Sequence, residues 1–181
     1  MIASNNIATD TPNIVMSDKK TTEKRFMNEI QKHEATIMKV CMSFTNRRSE
    51  DIKDLYQDII SNLWVGFEKF RGESSVNTWI YRVSFNTALM AYRKAKHAPQ
   101  FVDFDEDVYN RLAEEAKDEQ TERLYELLDG LNEAEKMLVL LYLDGISQNE
   151  IASITGVSEA AVNQKIYRIK KKLVKLYNNE G

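Results

Sequence analysis

Asn163, Gln164 and Lys165 stand side by side, followed closely by Tyr167, Arg168, Lys171 and Lys172. An Asn or Gln amide can pair in a bidentate way with adenine, and cations neutralise phosphates, so the cluster has the chemistry of a DNA reader. Val162, Ile166, Ile169, Leu173 and Leu176 recur among these residues at spacings of four and three. That stripe predicts a helix with one buried face, which leaves the amides and most cations on the other side. A basic helix face by itself usually means only a solvated surface, so the residues before it matter. Ser147 and Glu150 have the spacing of a capping box, Ala152 is small enough for a second helix to cross closely, and Gly156 permits a tight turn. Ser158 can cap the helix that follows. Together they read as a helix-turn-helix whose second helix suits a major groove.

A second cluster lies earlier. Phe70, Arg71, Gly72, Glu73, Ser74, Ser75, Val76, Asn77, Thr78 and Trp79 read as a glycine-containing loop entering a capped helix. Along that helix Ile80, Val83, Thr87 and Met90 can face a core. Tyr81, Arg82, Phe85, Asn86 and Arg93 then fall around the remaining faces. Aromatics among cations and amides suit single-stranded DNA, because rings stack on exposed bases while cations attract the backbone. Taken singly, Trp79 and Phe85 are more often core residues, so contact with nucleic acid and plain packing both stay open here.

The helix before this loop carries an apolar stripe of Ile52, Leu55, Ile59, Leu63 and Phe67, with Asp51, Asp54, Gln57, Asp58 and Ser61 on its other faces. Asp54 and Asp58 lie one turn apart, a spacing at which like charges weaken an isolated helix. Solvated acidity and a patch that docks on a basic partner both account for it.

The 181 residues carry a net charge of -3, which argues weakly against a nucleic-acid partner until its distribution is read. No acidic residue falls between Ser74 and Val102, where Arg82, Arg93, Lys94 and Lys96 sit, and from Val157 to Tyr177 only Glu159 offsets six cations. Asp103, Asp105, Glu106, Asp107, Glu114, Glu115, Asp118 and Glu119 fill the interval. Nucleic-acid affinity follows local potential rather than the total. The lone Cys41, among Ile37, Val40 and Phe44, reads as a small buried hydrophobe, and a cytoplasmic location fits. His33 and His97 have no ligand spacing, and no catalytic constellation, metal site or cofactor is expected. With no apolar run of about 18 residues, no membrane insertion is expected either.

Six glycines, two prolines and few alternating runs predict an all-α protein. Residues 1–21 read as a flexible tail and 22–97 as a first helical domain. In that domain one helix covers Thr22 to Thr45, with Phe26, Ile30, Ile37, Val40 and Phe44 in its core. A second runs from Ser49 to Phe70 and a third from near Ser75 to near Lys96. Residues 98–117 read as an acidic linker, and 118–178 as a second small helical domain that ends in the helix-turn-helix.

The chain resembles the group-four (extracytoplasmic-function, ECF) sigma factors of the sigma-70 family. The likeness in region 2 rests on Asp54-Leu55-Tyr56-Gln57-Asp58, Trp64, Phe70 to Ser75, and Thr78-Trp79-Ile80-Tyr81-Arg82-Val83 with Asn86. In region 4 it rests on Leu131, Leu138 to Leu143, Glu150-Ile151-Ala152, Gly156-Val157-Ser158, Val162, Arg168 and Lys171-Lys172-Leu173. The resemblance implies a non-enzymatic factor that binds core RNA polymerase, recognises the -35 and -10 promoter elements and helps melt the duplex. It implies that Asp54, Gln57 and Asp58 dock on polymerase. It implies -10 contacts from Phe70, Arg71, Ser74, Ser75, Asn77, Trp79, Tyr81, Arg82, Asn86 and Arg93, with a flipped base held there. It implies -35 contacts from Ser158, Glu159, Asn163, Gln164, Lys165, Tyr167, Arg168, Lys171 and Lys172. An anti-sigma partner and an acidic linker that threads the RNA channel are further implications. Met90 stands where many members carry Asp or Asn, and Asn163-Gln164-Lys165 replaces a Lys-Ser-Arg-like run, which predicts a distinctive -35 preference. The alternative is a helix-turn-helix regulator that binds duplex DNA without polymerase.

Overall fold

The computed structural model describes residues 11–95 and 119–179, with side chains for 20–93 and 119–178. Among the described residues there are helices and no strands. The first half holds α1 (Thr11–Lys32), α2 (Glu34–Phe44), α3 (Ser49–Phe67) and α4 (Val76–Ala95). The second holds α5 (Glu119–Asp129), α6 (Glu133–Leu143), α7 (Gln148–Thr155) and α8 (Glu159–Asn179). Residues 1–10 and the acidic segment expected as a linker lie outside the described residues.

The single helix expected over Thr22–Thr45 is two. At His33 the backbone leaves helical angles (φ -113°, ψ 13°), and α2 starts afresh from its carbonyl. Phe26, Ile30, Ile37, Val40 and Phe44 are all buried despite the break. Helix α1 also begins at Thr11, inside the stretch expected as a flexible tail. Helix α3 buries Ile52, Leu55, Ile59 and Leu63 as its stripe demands, and Phe26 meets Trp64 and Phe67 edge-on at 5.0 and 5.3 Å.

Helix α4 departs from its expected pattern. It lies between α2 and α3, so it is covered on two sides rather than one. The buried arc therefore widens to Ile80, Tyr81, Ser84, Phe85, Thr87 and Ala88. Tyr81 and Phe85 stack at 5.4 Å inside the protein, while Met90, expected in the core, is 60% exposed. Asn62 of α3 donates to the Thr87 hydroxyl at 3.0 Å, which satisfies a polar pair within that interface.

In the second half, Asn132 and Glu135 form a full capping box at the start of α6. Leu138, Leu140, Leu141, Ile151, Val162, Ile166 and Ile169 build a core around which α6, α7 and α8 pack. The halves touch: α5 packs on α2, and α7 on α4. Asp129 accepts from Arg47 at 2.6 Å, and Lys136 reaches the Ser43 carbonyl at 2.9 Å. Asp144, just past α6, accepts from both Lys39 and the Tyr81 phenol.

Candidate nucleic-acid interface

The loop between α3 and α4 and the start of α4 enclose a cleft of about 420 Å³ lined by Gly66, Lys69, Phe70, Arg71, Glu73, Ser74, Trp79 and Arg82. That is within the range of sites that take small organic groups, about 300–1,000 Å³. Its wall is aromatic: the Trp79 indole lies 5.0 Å from Phe70 at 34°, and 6.4 Å from Phe67. The indole can settle there because residue 66 has no side chain. A Cβ on Gly66 would stand 3.1 Å from Trp79 Cζ2. A glycine inside a helix costs about 1 kcal/mol against alanine, so a packing reason of this kind is expected. Arg71 and Arg82 place two cations at the rim.

The remaining residues expected on this surface divide. Ser75 holds the start of α4, accepting from the Thr78 N–H at 3.0 Å and pairing with its hydroxyl at 2.7 Å. Asn77 is half-buried against Thr36 of α2. Asn86 and Arg93 are exposed further along α4. Tyr81 is fully buried, with its phenol on Asp144; burial and that carboxylate push its pKa far up, so it stays neutral. Arg82 donates to the Ser153 hydroxyl of α7 at 3.2 Å. Gly66, Lys69 and Glu73 also line the cleft; of these, the isolated Gly66 in a helical pattern is the one that carries a local signal in the sequence.

On α3, Gln57 and Asp58 are exposed and Asp54 is half-buried. Partial burial pushes the Asp54 carboxyl above its ordinary range, and Asp58, Asp51 and Glu50 push it the same way. This face therefore concentrates negative charge that repels itself, and a cationic partner would relieve it.

The turn of the helix-turn-helix forms as its residues require. Gly156 adopts φ 71° and its N–H reaches the Ala152 carbonyl. The Ser158 hydroxyl accepts from the Ala161 N–H at 3.3 Å, opening α8. Val162, Ile166 and Ile169 point into the core, while Ser158, Glu159, Asn163, Gln164, Lys165, Tyr167, Arg168 and Lys171 are exposed. Lys171 lies over the Tyr167 ring at 4.6 Å. Lys172 is different: it pairs with Glu135 at 2.8 Å and ties α8 to α6.

At the start of α7 the Ser147 hydroxyl accepts from the Glu150 N–H, while the Glu150 carboxylate takes the Ser147 and Thr78 hydroxyls. The Ser147 bond leads in holding the Glu150 pKa below its usual 4.5. The stability this carboxylate contributes is thus present above that value and is lost as pH falls through the lowered one. Ser147→Ala is expected to destabilise the second half by about 1 kcal/mol, the usual worth of such a cap, read as an earlier urea transition.

No group of three or more His, Cys, Asp or Glu among the described residues could hold a metal, and no described helix is long and apolar enough to cross a membrane. Cys41 is fully buried, and burial pushes its thiol pKa far up, so it behaves as an apolar residue.

Residues 30–98 match the Sigma-70 region 2 family, and residues 121–173 match Sigma-70, region 4. The ECF RNA polymerase sigma factor SigM of Mycobacterium tuberculosis is 31% identical over 140 residues, covering 76% of this chain and 70% of that protein. The chain belongs to the ECF sigma factors of the sigma-70 family. The RNA polymerase sigma factor YlaC of Bacillus subtilis is also 31% identical, over 137 residues, covering 70% of this chain and 77% of its own. The fold of this sigma factor is that of RpoE from Bartonella quintana in its complex with the anti-sigma factor NepR, with a TM-score of 0.63, 17% identity, and coverage of 86% of this chain and 98% of that one. Region 2 takes in the acidic face and the aromatic cleft; region 4 takes in the helix-turn-helix. As a sigma factor it is a transcription initiation factor, not an enzyme, and its partners are core RNA polymerase and promoter DNA.

Proposed function

We propose that this sigma factor grips its promoter at two points, with each half supplying one of them. The observation that carries the reading is the cleft of Phe70, Arg71, Trp79 and Arg82, which joins an aromatic wall to two rim cations. A base turned out of the -10 duplex would stack on the indole while the arginines hold flanking phosphates. Binding that is tighter for single strand than for duplex shifts the closed–open equilibrium with no chemical step. Asn86 and Arg93 extend this track along α4. The face of Asp54, Gln57 and Asp58 would dock on a cationic surface of polymerase.

In region 4, Asn163, Gln164, Lys165 and Tyr167 would face bases of the -35 duplex, with Ser158 and Glu159 at the helix start. Arg168 and Lys171 would hold phosphates, and Lys172 would do so only from its pair with Glu135. Gln164→Ala is expected to relax the base preference at one -35 position by about 1–3 kcal/mol, the worth of one bidentate pair. Selection from randomised -35 sequences reads this, and an unchanged preference excludes Gln164 from reading. A factor that acts with core polymerase on promoter DNA would work in the cytoplasm. An anti-sigma partner is part of the same reading, because RpoE, of the same fold, has been solved with NepR.

Permanganate footprinting of a cognate promoter with core polymerase tests the cleft. Thymines of the -10 element should become reactive with wild type and stay protected with Arg71→Ala/Arg82→Ala; equal reactivity with both proteins would reject the cleft as the strand-capturing site.

A further inference from the structure

Met90 is turned out of the core and is 60% exposed on α4. A single exposed apolar side chain needs no explanation by itself, because folded surfaces carry many. Its place on the helix supplies one. Trp79, Arg82, Asn86, Met90 and Arg93 follow one another at spacings of three, four, four and three, so they share one face. Ile80, Ser84, Thr87 and Ala88 fill the opposite arc, inside the protein. The shared face begins at the aromatic wall of the cleft, where Trp79 meets Phe70, and passes Arg82 at the rim. Beyond the rim Asn86, Met90 and Arg93 are all exposed. Met90 is the apolar member of a face that otherwise offers a ring, an amide and two cations.

These groups suit different parts of a nucleotide. Cations hold phosphates, a ring takes a base by stacking, and an amide reads donors and acceptors on a base edge. None of them recognises the 5-methyl group of thymine, which is read by apolar contact. A methionine is long, unbranched and polarizable, so it can settle against such a methyl without a preformed pocket. Asn86 lies one turn before Met90 and Arg93 one turn after it, where they would hold the flanking nucleotides. From Trp79 to Met90 the helix rises on the order of 16 Å, at 1.5 Å per residue. A stacked strand advances 3.4 Å per nucleotide, so the two side chains are about five nucleotides apart. Met90 therefore meets a different position of the element from the base held on the indole.

We propose that Met90 is a specificity-determining residue of the -10 contact, selecting thymine through its 5-methyl group about five nucleotides from the base held in the cleft. This assignment rests on the -10 reading of the cleft and adds to it a base identity at a second position.

The test uses the full chain with core polymerase and a cognate promoter. Thymines of the -10 element are replaced by deoxyuridine, one strand at a time, which removes the methyl and leaves base pairing intact. Burial of one such group corresponds to about fourfold in binding. In anisotropy titrations of labelled promoter, wild-type holoenzyme should bind the deoxyuridine form of one strand about fourfold more weakly. Met90→Ala and Met90→Asn should lose that difference, whereas Met90→Leu keeps an apolar side chain and should retain it. Any part that persists in Met90→Ala belongs to the DNA itself. Met90 carries no charge, so Met90→Ala should leave the salt dependence of binding unchanged, while Arg93→Ala lowers its slope by about one. Helicity by circular dichroism should match throughout, because the side chain is exposed. The same thymine-to-deoxyuridine ratio in wild type and Met90→Ala would overturn the proposal, as would the absence of thymine from -10 segments selected by wild type. Trp79→Ala on the same promoters separates the two readings. An unchanged open-complex lifetime in that variant rejects the cleft, whereas a shortened lifetime with a ratio indifferent to Met90 rejects the thymine assignment alone.

Discussion

Replacing Asp54 and Asp58 together with lysine is expected to weaken binding of this sigma factor to core polymerase by roughly a thousandfold, because like charges set against each other across an interface cost several kcal/mol and each 1.4 kcal/mol is a factor of ten. Both residues lie one turn apart on α3, beside exposed Gln57. The Asp54 carboxyl is already raised, first by partial burial and then by Asp58, Asp51 and Glu50. A raised carboxylate pKa means that the ionised form opposes folding at neutral pH, and that this opposition fades as pH falls through the raised value. Removing the two acids therefore relieves repulsion within the fold. The double variant should unfold no earlier than wild type, so lost polymerase binding cannot be assigned to lost structure. Anisotropy titration of labelled protein with core polymerase measures the effect. Wild-type affinity should also fall as salt is raised, since exposed charges are screened beyond about 8–10 Å at ordinary ionic strength. Unchanged affinity in the double variant would place the polymerase contact elsewhere.

Trp79→Ala is expected to lower the stability of the open promoter complex about 10- to 100-fold, which corresponds to the 1–3 kcal/mol that stacking one base on an aromatic ring is worth. The indole is held over Gly66 and beside Phe70 and Phe67, so its orientation is set before any strand arrives. Trp79→Phe keeps a ring beside Phe70 and should retain most of the opening. Because region 4 contributes nothing to this wall, binding of a -35 duplex should be equal in all three proteins. Open-complex lifetime after heparin challenge gives the first comparison and electrophoretic mobility shift the second. A Trp79→Ala lifetime equal to wild type would show that the indole serves only to pack α4 on α3.

What the sequence disclosed follows from how locally each feature is encoded. The stripe of Val162, Ile166 and Ile169 predicted a one-sided helix, and α8 is buried on that side alone, so its exposed amides and cations were legible. Gly156 and Ser158 act within a few residues of themselves and were equally readable. Helix α4 departs from its stripe at Tyr81 and Met90 because a stripe presumes one covered face, whereas α2 and α3 enclose it from two directions, and the same enclosure decides Phe85 for the core. His33 interrupts a continuous apolar pattern with no proline or glycine to signal it. Asp144 could not be read at all. Its donors stand 105 and 63 residues away, and nothing near it distinguishes it from any other acid after a helix. The gap between a buried Tyr81 and its expected place against DNA has the same origin. Tyr81 is enclosed by Phe85 of its own helix and by Asp144 from the other half of the chain.

Initiation reconstituted from purified parts tests the account most directly. The full chain is added to core polymerase and a library of templates with randomised -35 and -10 segments, and run-off transcripts are sequenced. The account predicts transcripts only when both proteins are present, from templates enriched at both elements, with enrichment at -35 altered by Gln164→Ala and yield lost in Trp79→Ala. Sequence-specific duplex binding by the chain alone, with no polymerase-dependent transcript from any template, would contradict it.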